Sequence, residues 1–130
     1  MLILTIRTDK PEAELGLYED DKQLTYLHWQ AHRELAETIH QQMRDILMSQ
    51  QKELREVQAL AVYEGPGSFT GLRIGVSVAN ALANSLQVPI VARTGDNWMA
   101  QCIAAIQGGE NTSIVIPEYG ALPNITTPRK

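Results

Sequence analysis

Residues 59–86 read ALAVYEGPGSFTGLRIGVSVANALANSL. The apolar run Ala59–Tyr63, with Val62 and Tyr63 supplying β-branched and aromatic content, is short and ends at Glu64. Bounded by Gly and Pro, such a run reads as a buried strand. Gly65-Pro66-Gly67-Ser68-Phe69-Thr70-Gly71 follows, and from Leu72 the apolar spacing becomes helical. The three glycines can take positive φ or admit close backbone approach, while Pro66 fixes its own φ. Ser68 or Thr70 is placed to cap the helix. The unit is therefore strand, tight turn, helix over Leu72–Gln87.

A glycine-rich turn at a helix start aims backbone N–H groups at one point and can hold an anion. Gly65, Gly67, Ser68, Thr70, Gly71 and Arg73 are the candidate set for a small nucleotide- or phosphate-binding module. The spacing G-x-G-x-x-x-G is one residue too long for the dinucleotide fingerprint, and no Lys-Ser/Thr pair follows as a P-loop requires. A purely structural turn is the competing reading.

The eleven residues Gly65-Pro66-Gly67-Ser68-Phe69-Thr70-Gly71-Leu72-Arg73-Ile74-Gly75 resemble the signature of the TsaB (YeaZ) family. The catalytic paralogue TsaD has a related Gly-Pro-Gly turn without the Ser-Phe-Thr-Gly-Leu-Arg continuation. The resemblance implies the non-catalytic partner in bacterial threonylcarbamoyladenosine tRNA modification. It would dock on a TsaD homologue that holds metal, substrate and catalysis. A TsaE homologue would join through TsaD, and tRNA would be met only indirectly. Self-association when alone is a further expectation.

Composition fits that class. At 130 residues the chain is one domain, able to bury roughly two-thirds of its unfolded surface. Net charge is −4 and the eleven Lys and Arg are scattered, which argues against gripping tRNA unaided. A single cysteine, Cys102, lies in an apolar helical pattern and reads as a buried, inert thiol in a reducing cytosol. No stretch approaches the roughly 20 apolar residues of a membrane span, and Met1–Ile6 is too short for a signal-peptide core. A cytoplasmic location is expected.

Along the chain, Leu2–Thr8 reads as a first strand, and Glu14–Glu19 and Gln23–Trp29 as a hairpin about Asp20-Asp21-Lys22. Ala31–Gln50 is an amphipathic helix with Leu35, Ala36, Ile39, Met43, Ile46 and Leu47 on one stripe. Lys52–Glu56 is a charged link. The strand–helix–strand connection predicts a right-handed parallel crossover that sets the fourth strand beside the first. Val88–Ala92 is a fifth strand and Asp96–Gln107 a third helix, capped by Thr94 or Asp96. The predicted fold is α/β: a single ribonuclease-H-like lobe of the sugar kinase, Hsp70 and actin superfamily, with a mixed five-stranded sheet. Residues 1–107 form the lobe, and 108–130 a tail packing on it through Ser113–Ile116.

The resemblance also marks departures. The family carries Ile-Asp-Thr in the first strand, where ATP-using relatives of the fold keep an aspartate for metal and phosphate; here the residues are Ile6-Arg7-Thr8. Arg7 cannot ligate Mg²⁺. It is either a solvated strand-end residue or a contact for an anion or a partner's carboxylate. Ala31-His32-Arg33-Glu34-Leu35 is similar to the family's His-Ser-x-x-Leu, and Pro117-Glu118-Tyr119 to its C-terminal Pro-x-Tyr. The family has two lobes and this chain has about one, so a cleft closing on ATP is not expected, nor is any cofactor.

No catalytic or metal set emerges. His28 and His32 are four apart, but a strand end at Trp29-Gln30 makes them diverge, and no carboxylate cluster supports them. A peptidase reading lacks a nucleophile–base pair. On the helix after the turn, Arg73, Ser77, Asn80, Asn84 and Gln87 fall within about 80° at about 100° per residue. The rest is apolar, with a small-residue row of Gly75, Ala79 and Ala83. In the family this helix and the one before it meet a partner's equivalent pair, although Lys is usual where this chain has Asn80. His32, Leu35, Ile39, Val76, Ala79, Asn80 and Ala83 are accordingly the expected partner-binding residues, with ordinary burial in the lobe as the alternative for this helix.

Overall fold

The computed structural model describes residues 1–117. The nearly continuous apolar run of β1 (Leu2–Arg7), buried on both faces, joins β2 (Glu12–Glu19) and β3 (Lys22–Gln30) in an antiparallel meander. β4 (Ala59–Tyr63) then pairs parallel with β1, Ile3 opposite Ala59 and Ile6 opposite Val62. β5 (Ile90–Arg93) pairs parallel with β4, giving the order β3-β2-β1-β4-β5. This is the crossover topology and mixed five-stranded sheet that the sequence predicts.

The two-residue period of the strands sends side chains to opposite faces. Leu4, Ile6, Leu15, Leu17, Leu60 and Val62 share one buried cluster with Leu35, Ile39, Met43, Ile46 and Leu47 of α1 (Leu35–Met48) and Val76, Ala79 and Ala83 of α2 (Phe69–Leu86). Ile3, Ala59, Ala61, Tyr63 and Val91 form the second cluster with Trp98, Cys102, Ile103 and Ile106 of α3 (Trp98–Gln107). Each fully buried Leu, Ile or Val contributes about 1.5–3 kcal/mol relative to exposure, so these two faces carry the stability.

Boundaries differ from expectation where backbone geometry overrides pattern. α1 begins at Leu35, not Ala31, because His32 has φ +48° and His32–Glu34 form a separate 3-10 turn. α2 begins three residues early, at Phe69, so Arg73 and Ile74 lie in its second turn. Ser68 takes the cap position there, but neither its hydroxyl nor that of Thr70 caps the helix. Neither Thr94 nor Asp96 caps α3; Asn97 takes that position without a side-chain bond, and the Trp98 amide donates to the Gly95 carbonyl at 3.3 Å. β5 starts at Ile90 rather than Val88, since Pro89 has no N–H for the ladder and only its carbonyl accepts, from Leu60 at 2.9 Å. The charged link holds a 3-10 turn, Leu54–Glu56, closed by reciprocal capping between Glu53 and Glu56.

α2 is held against the end of β1 by three glycines. A Cβ at Gly67 would collide with Asp9, at Gly71 with the Thr8 carbonyl, and at Gly75 with the Thr8 side chain. Their role is close approach. Of the turn's glycines only Gly65, at φ +119°, needs the left-handed region. Gly67→Val is expected to destabilise the chain by about 1–3 kcal/mol through overpacking. Arg73→Ala, at an exposed site, should stay within about 0.5 kcal/mol. Thermal melts of both variants decide this, and an unchanged midpoint for Gly67→Val contradicts the close-packing account.

Candidate functional site

β1 delivers Arg7, Thr8 and Asp9 to the turn that precedes α2. The Thr8 hydroxyl donates to the Gly71 carbonyl at 2.8 Å, and the Ser68 amide donates to the Asp9 carbonyl at 2.8 Å. One of the turn's N–H groups is thus engaged by the chain's own backbone. Arg7 forms a two-point pair with Asp9, Nε to Oδ1 at 2.8 Å and Nη2 to Oδ2 at 3.2 Å. Its guanidinium lies 4.1 Å from the Tyr63 ring centroid, within cation–π range. Tyr63 stands edge-on to Trp98, with centroids 5.7 Å apart, and its hydroxyl donates to the Pro66 carbonyl at 3.4 Å.

Arg7 is therefore not a solvated strand-end residue. It is a half-buried internal residue whose partner is Asp9, a carboxylate 8% exposed. The hydrogen bonds that Arg7 donates to Asp9 hold the Arg7 pKa above its ordinary value, with burial opposing. Both Asp9 oxygens face the guanidinium, and a Mg²⁺ ion brought here would meet a fixed positive charge. The residues present do not fit the metal that ATP-using relatives of this fold carry at the strand end.

A cleft of about 670 Å³ opens beside the turn, lined by Lys10, Pro11, His32, Arg33, Ser68, Thr70, Gly71 and Ile74 among others. Ser68 and Thr70 are exposed there, with Lys10 and Arg33 as the flanking cations. The candidate anion set does not converge as one pocket. Gly67 and Gly71 face Asp9 and Thr8, and Arg73 is exposed beside the half-exposed Phe69, 5.2 Å from its ring centroid.

The expected partner-binding set is divided. Leu35, Ile39, Val76, Ala79 and Ala83 are all 4% exposed or less and belong to the chain's own core, so they are corrected from docking residues to packing residues. The wide apolar arc of α2 arises because the sheet fills one side and α1 flanks another. His32 is exposed at the cleft, and Asn80 binds the backbone of Val115. Besides the exposed polar residues Arg73, Ser77, Asn84 and Ser85, α2 leaves half-buried or exposed its other apolar flank: Ile74, Val78, Ala81 and Leu82. Val78, Ala81 and Leu82 join His40, Met43 and Leu54 around a shallow groove of about 410 Å³ between α1 and α2. Spacing alone could not separate the two apolar flanks of this helix.

Elsewhere, His28 pairs with Glu12 across the β2–β3 hairpin at 3.0 Å, whereas His32 lies at the cleft. Among the described residues no group of three or more His, Cys, Asp and Glu is arranged to hold a metal. Cys102 is buried against the Val91 carbonyl, and burial pushes its thiol up to about 12, opposite to a nucleophile's need. Tyr119, of the Pro-x-Tyr echo, lies outside the described residues. Among those described, no helix is long and apolar enough to cross a membrane.

A three-layered lobe with this turn and an arginine at the strand end defines a ribonuclease-H-like fold without the usual acidic corner. Solved structures agree: YeaZ from Pseudomonas aeruginosa superposes with a TM-score of 0.68 at 30% identity, over 82% of this chain and 50% of that one. Thermus thermophilus RuvC, at 15% identity, shares the fold alone, with a TM-score of 0.50 over 72% of this chain and 64% of its own. The family model described as TsaD: tRNA N6-adenosine threonylcarbamoyltransferase matches residues 29–104, more than half of the chain. The tRNA threonylcarbamoyladenosine biosynthesis protein TsaB of Escherichia coli is 35% identical over 106 residues, 78% of this chain and 43% of that protein. The chain belongs to this threonylcarbamoyl family and, within it, to the TsaB (YeaZ) group. It spans about half the length of the relatives it matches, or less.

Arg7→Ala should leave the Asp9 carboxylate buried without its charged partner, at a loss of about 1–3 kcal/mol. Denaturant titration of this variant beside Asp9→Ala and the double variant checks the pairing. Additive losses would mean the pair is not coupled.

Proposed function

We propose that this chain is a non-catalytic scaffold subunit of the tRNA threonylcarbamoyladenosine machinery, docking on a TsaD homologue through the outer face of α1 and α2. The observation that carries the reading is the apolar flank Ile74, Val78, Ala81 and Leu82, left half-buried or exposed beside Met43 and Leu54. A helix in a lobe of this size ordinarily turns a charged side outward. Here α2 carries one charged residue, Arg73, and beside its polar stripe of Arg73, Ser77 and Asn84 runs this apolar flank, a low charge content as at the desolvated centre of an interface. In this reading TsaD performs the transfer, a TsaE homologue joins through TsaD, and tRNA contacts this chain only indirectly. The pairing of two copies through the same face when TsaD is absent belongs to the same proposal.

The Arg7–Asp9 pair supports a non-catalytic role, because it fixes a cation where ATP-using relatives of the fold place a carboxylate. A phosphate-release assay is expected to stay at background for the chain, and Arg7→Asp should not create turnover. Turnover lost on mutating Thr8 or Ser68 contradicts the scaffold reading. The second reading, a phosphate-binding module, draws on the cleft at the start of α2 with Lys10 and Arg33 on its rim. Calorimetry with ATP at millimolar concentration separates the two, and flat heats leave the scaffold.

The docking test uses co-expression with the TsaD homologue and the mass of what co-purifies. Ala81→Glu, at an exposed position of α2, should weaken co-purification while circular dichroism and melting stay as in the parent. Ala83→Glu, which buries a charge in the core, should unfold the chain. Full retention of the complex by Ala81→Glu moves the docking surface off this helix.

A further inference from the structure

Among the described residues no strand pairs with the outer edge of β5, yet both outward backbone groups of Ile90 are engaged. The Ile90 amide donates to the Asn111 side-chain oxygen at 3.1 Å, and the Ile90 carbonyl accepts from the Thr112 amide at 2.8 Å. The next outward carbonyl, that of Ala92, accepts from the Arg93 guanidinium at 2.9 Å. Arg93 is in turn held by Glu110 in a two-point pair at 2.8 and 2.9 Å. Asn111 and Thr112 thus meet both groups of Ile90, and Arg93 meets the Ala92 carbonyl, all of which an added strand would otherwise take.

The same segment is anchored on α2. The Asn80 carboxamide reads both backbone groups of Val115: its Nδ2 donates to the carbonyl at 2.9 Å and its Oδ1 accepts from the amide at 2.8 Å. The Val115 side chain, 3% exposed, enters the core cluster that contains Val76, Ala79, Ala83 and Ile90. Ile114 and Ile116 on either side are 69% and 77% exposed. One side chain goes in, its neighbours stay out, and the contacts around it are to backbone. Between the two anchors the segment folds into a tight turn: Ser113 has φ +71°, its amide donates to the Asn111 side-chain oxygen at 2.9 Å, and the Ile114 amide donates to the Thr112 carbonyl at 2.8 Å. Main-chain hydrogen bonds and one side-chain pocket thus hold a turn against the helix and the sheet edge.

We propose that the groove between α2 and the β5 edge is a binding site for one turn-forming peptide segment, with residues 110–115 as its resident occupant. The determinants on the segment are Asn111, whose side chain caps Ile90, and Val115, a small β-branched residue four positions on. The groove supplies Asn80 and the Ile90 backbone. The occupant stands where the next strand of a longer sheet would pair, so the edge stays closed while the segment is seated.

The test uses the full chain. Val115→Asp keeps the groove but prevents its own segment from seating. A fluorescent synthetic peptide of residues 108–117 is then titrated against the parent, Val115→Asp, and Val115→Asp with Asn80→Ala. Val115→Asp is expected to bind the peptide saturably and at least about tenfold more tightly than the parent, whose groove is filled in cis. Removing Asn80 deletes two hydrogen bonds and should weaken binding by about tenfold or more. A folded Val115→Asp chain that takes up no peptide, or binding indifferent to Asn80, overturns the proposal. Should Val115→Asp fail to fold, amide exchange decides. In the parent the Ile90 and Val115 amides should be protected and exchange together, and Asn80→Ala should speed both by at least about tenfold. Rapid exchange of either amide in the parent, or no acceleration by Asn80→Ala, overturns the proposal equally.

Discussion

Everything near the turn depends on how closely α2 approaches the end of β1. Gly67, Gly71 and Gly75 recur every fourth residue and lie against Asp9 and Thr8 with no room for a Cβ. That approach lets the Ser68 amide reach the Asp9 carbonyl and the Thr8 hydroxyl reach the Gly71 carbonyl. It also fixes Asp9 beside Arg7, and Arg7 beside Tyr63. A larger residue at any of the three glycines would push the helix outward and loosen all of these contacts together. The signature turn is therefore an adhesive between helix and strand, and its glycines are explained without a bound phosphate.

The same placement determines which residues face outward. With its glycine track on β1 and Val76, Ala79 and Ala83 on the sheet, α2 presents Ile74, Val78, Ala81 and Leu82 beside α1. The docking reading and the core reading of this helix are then complementary, because they concern different flanks. At the sheet's β5 edge the segment after α3 covers the outward backbone groups of Ile90, and Asn80 ties that segment to the helix. Among the described residues α2 thus packs on the sheet, on α1 and on the segment after α3, leaving its polar stripe and this one apolar flank uncovered.

Much of the fold was legible in the sequence because its signals were local and strong. The apolar runs Leu2–Arg7 and Ala59–Tyr63 and the stripe Leu35–Leu47 gave strand order, crossover and layers. Cys102 was readable as a buried thiol because its neighbours in α3 are apolar. The helix boundaries were less legible: His32 adopts a positive φ that no periodicity signals, and Phe69 starts α2 inside what reads as turn. The candidate site was least legible. Arg7 and Asp9 are two residues apart, and nothing in Arg7-Thr8-Asp9 declares that the chain curls to pair them. Nor does spacing tell which apolar flank of α2 meets the sheet, which leaves Val76, Ala79 and Ala83 open to both a docking and a core reading until the fold is in place. Asn80 and Val115 are 35 positions apart, a contact visible only once β5 and α3 are in place.

The central claim is that the chain works by docking through the α1–α2 face. Hydrogen–deuterium exchange of the chain with and without its TsaD homologue tests this most directly, peptide by peptide. The account predicts added protection across residues 35–48 and 72–86, with α3 and the β2–β3 hairpin unchanged. Protection gained on α3 or the hairpin instead, or on no segment while the two proteins co-purify, would contradict it.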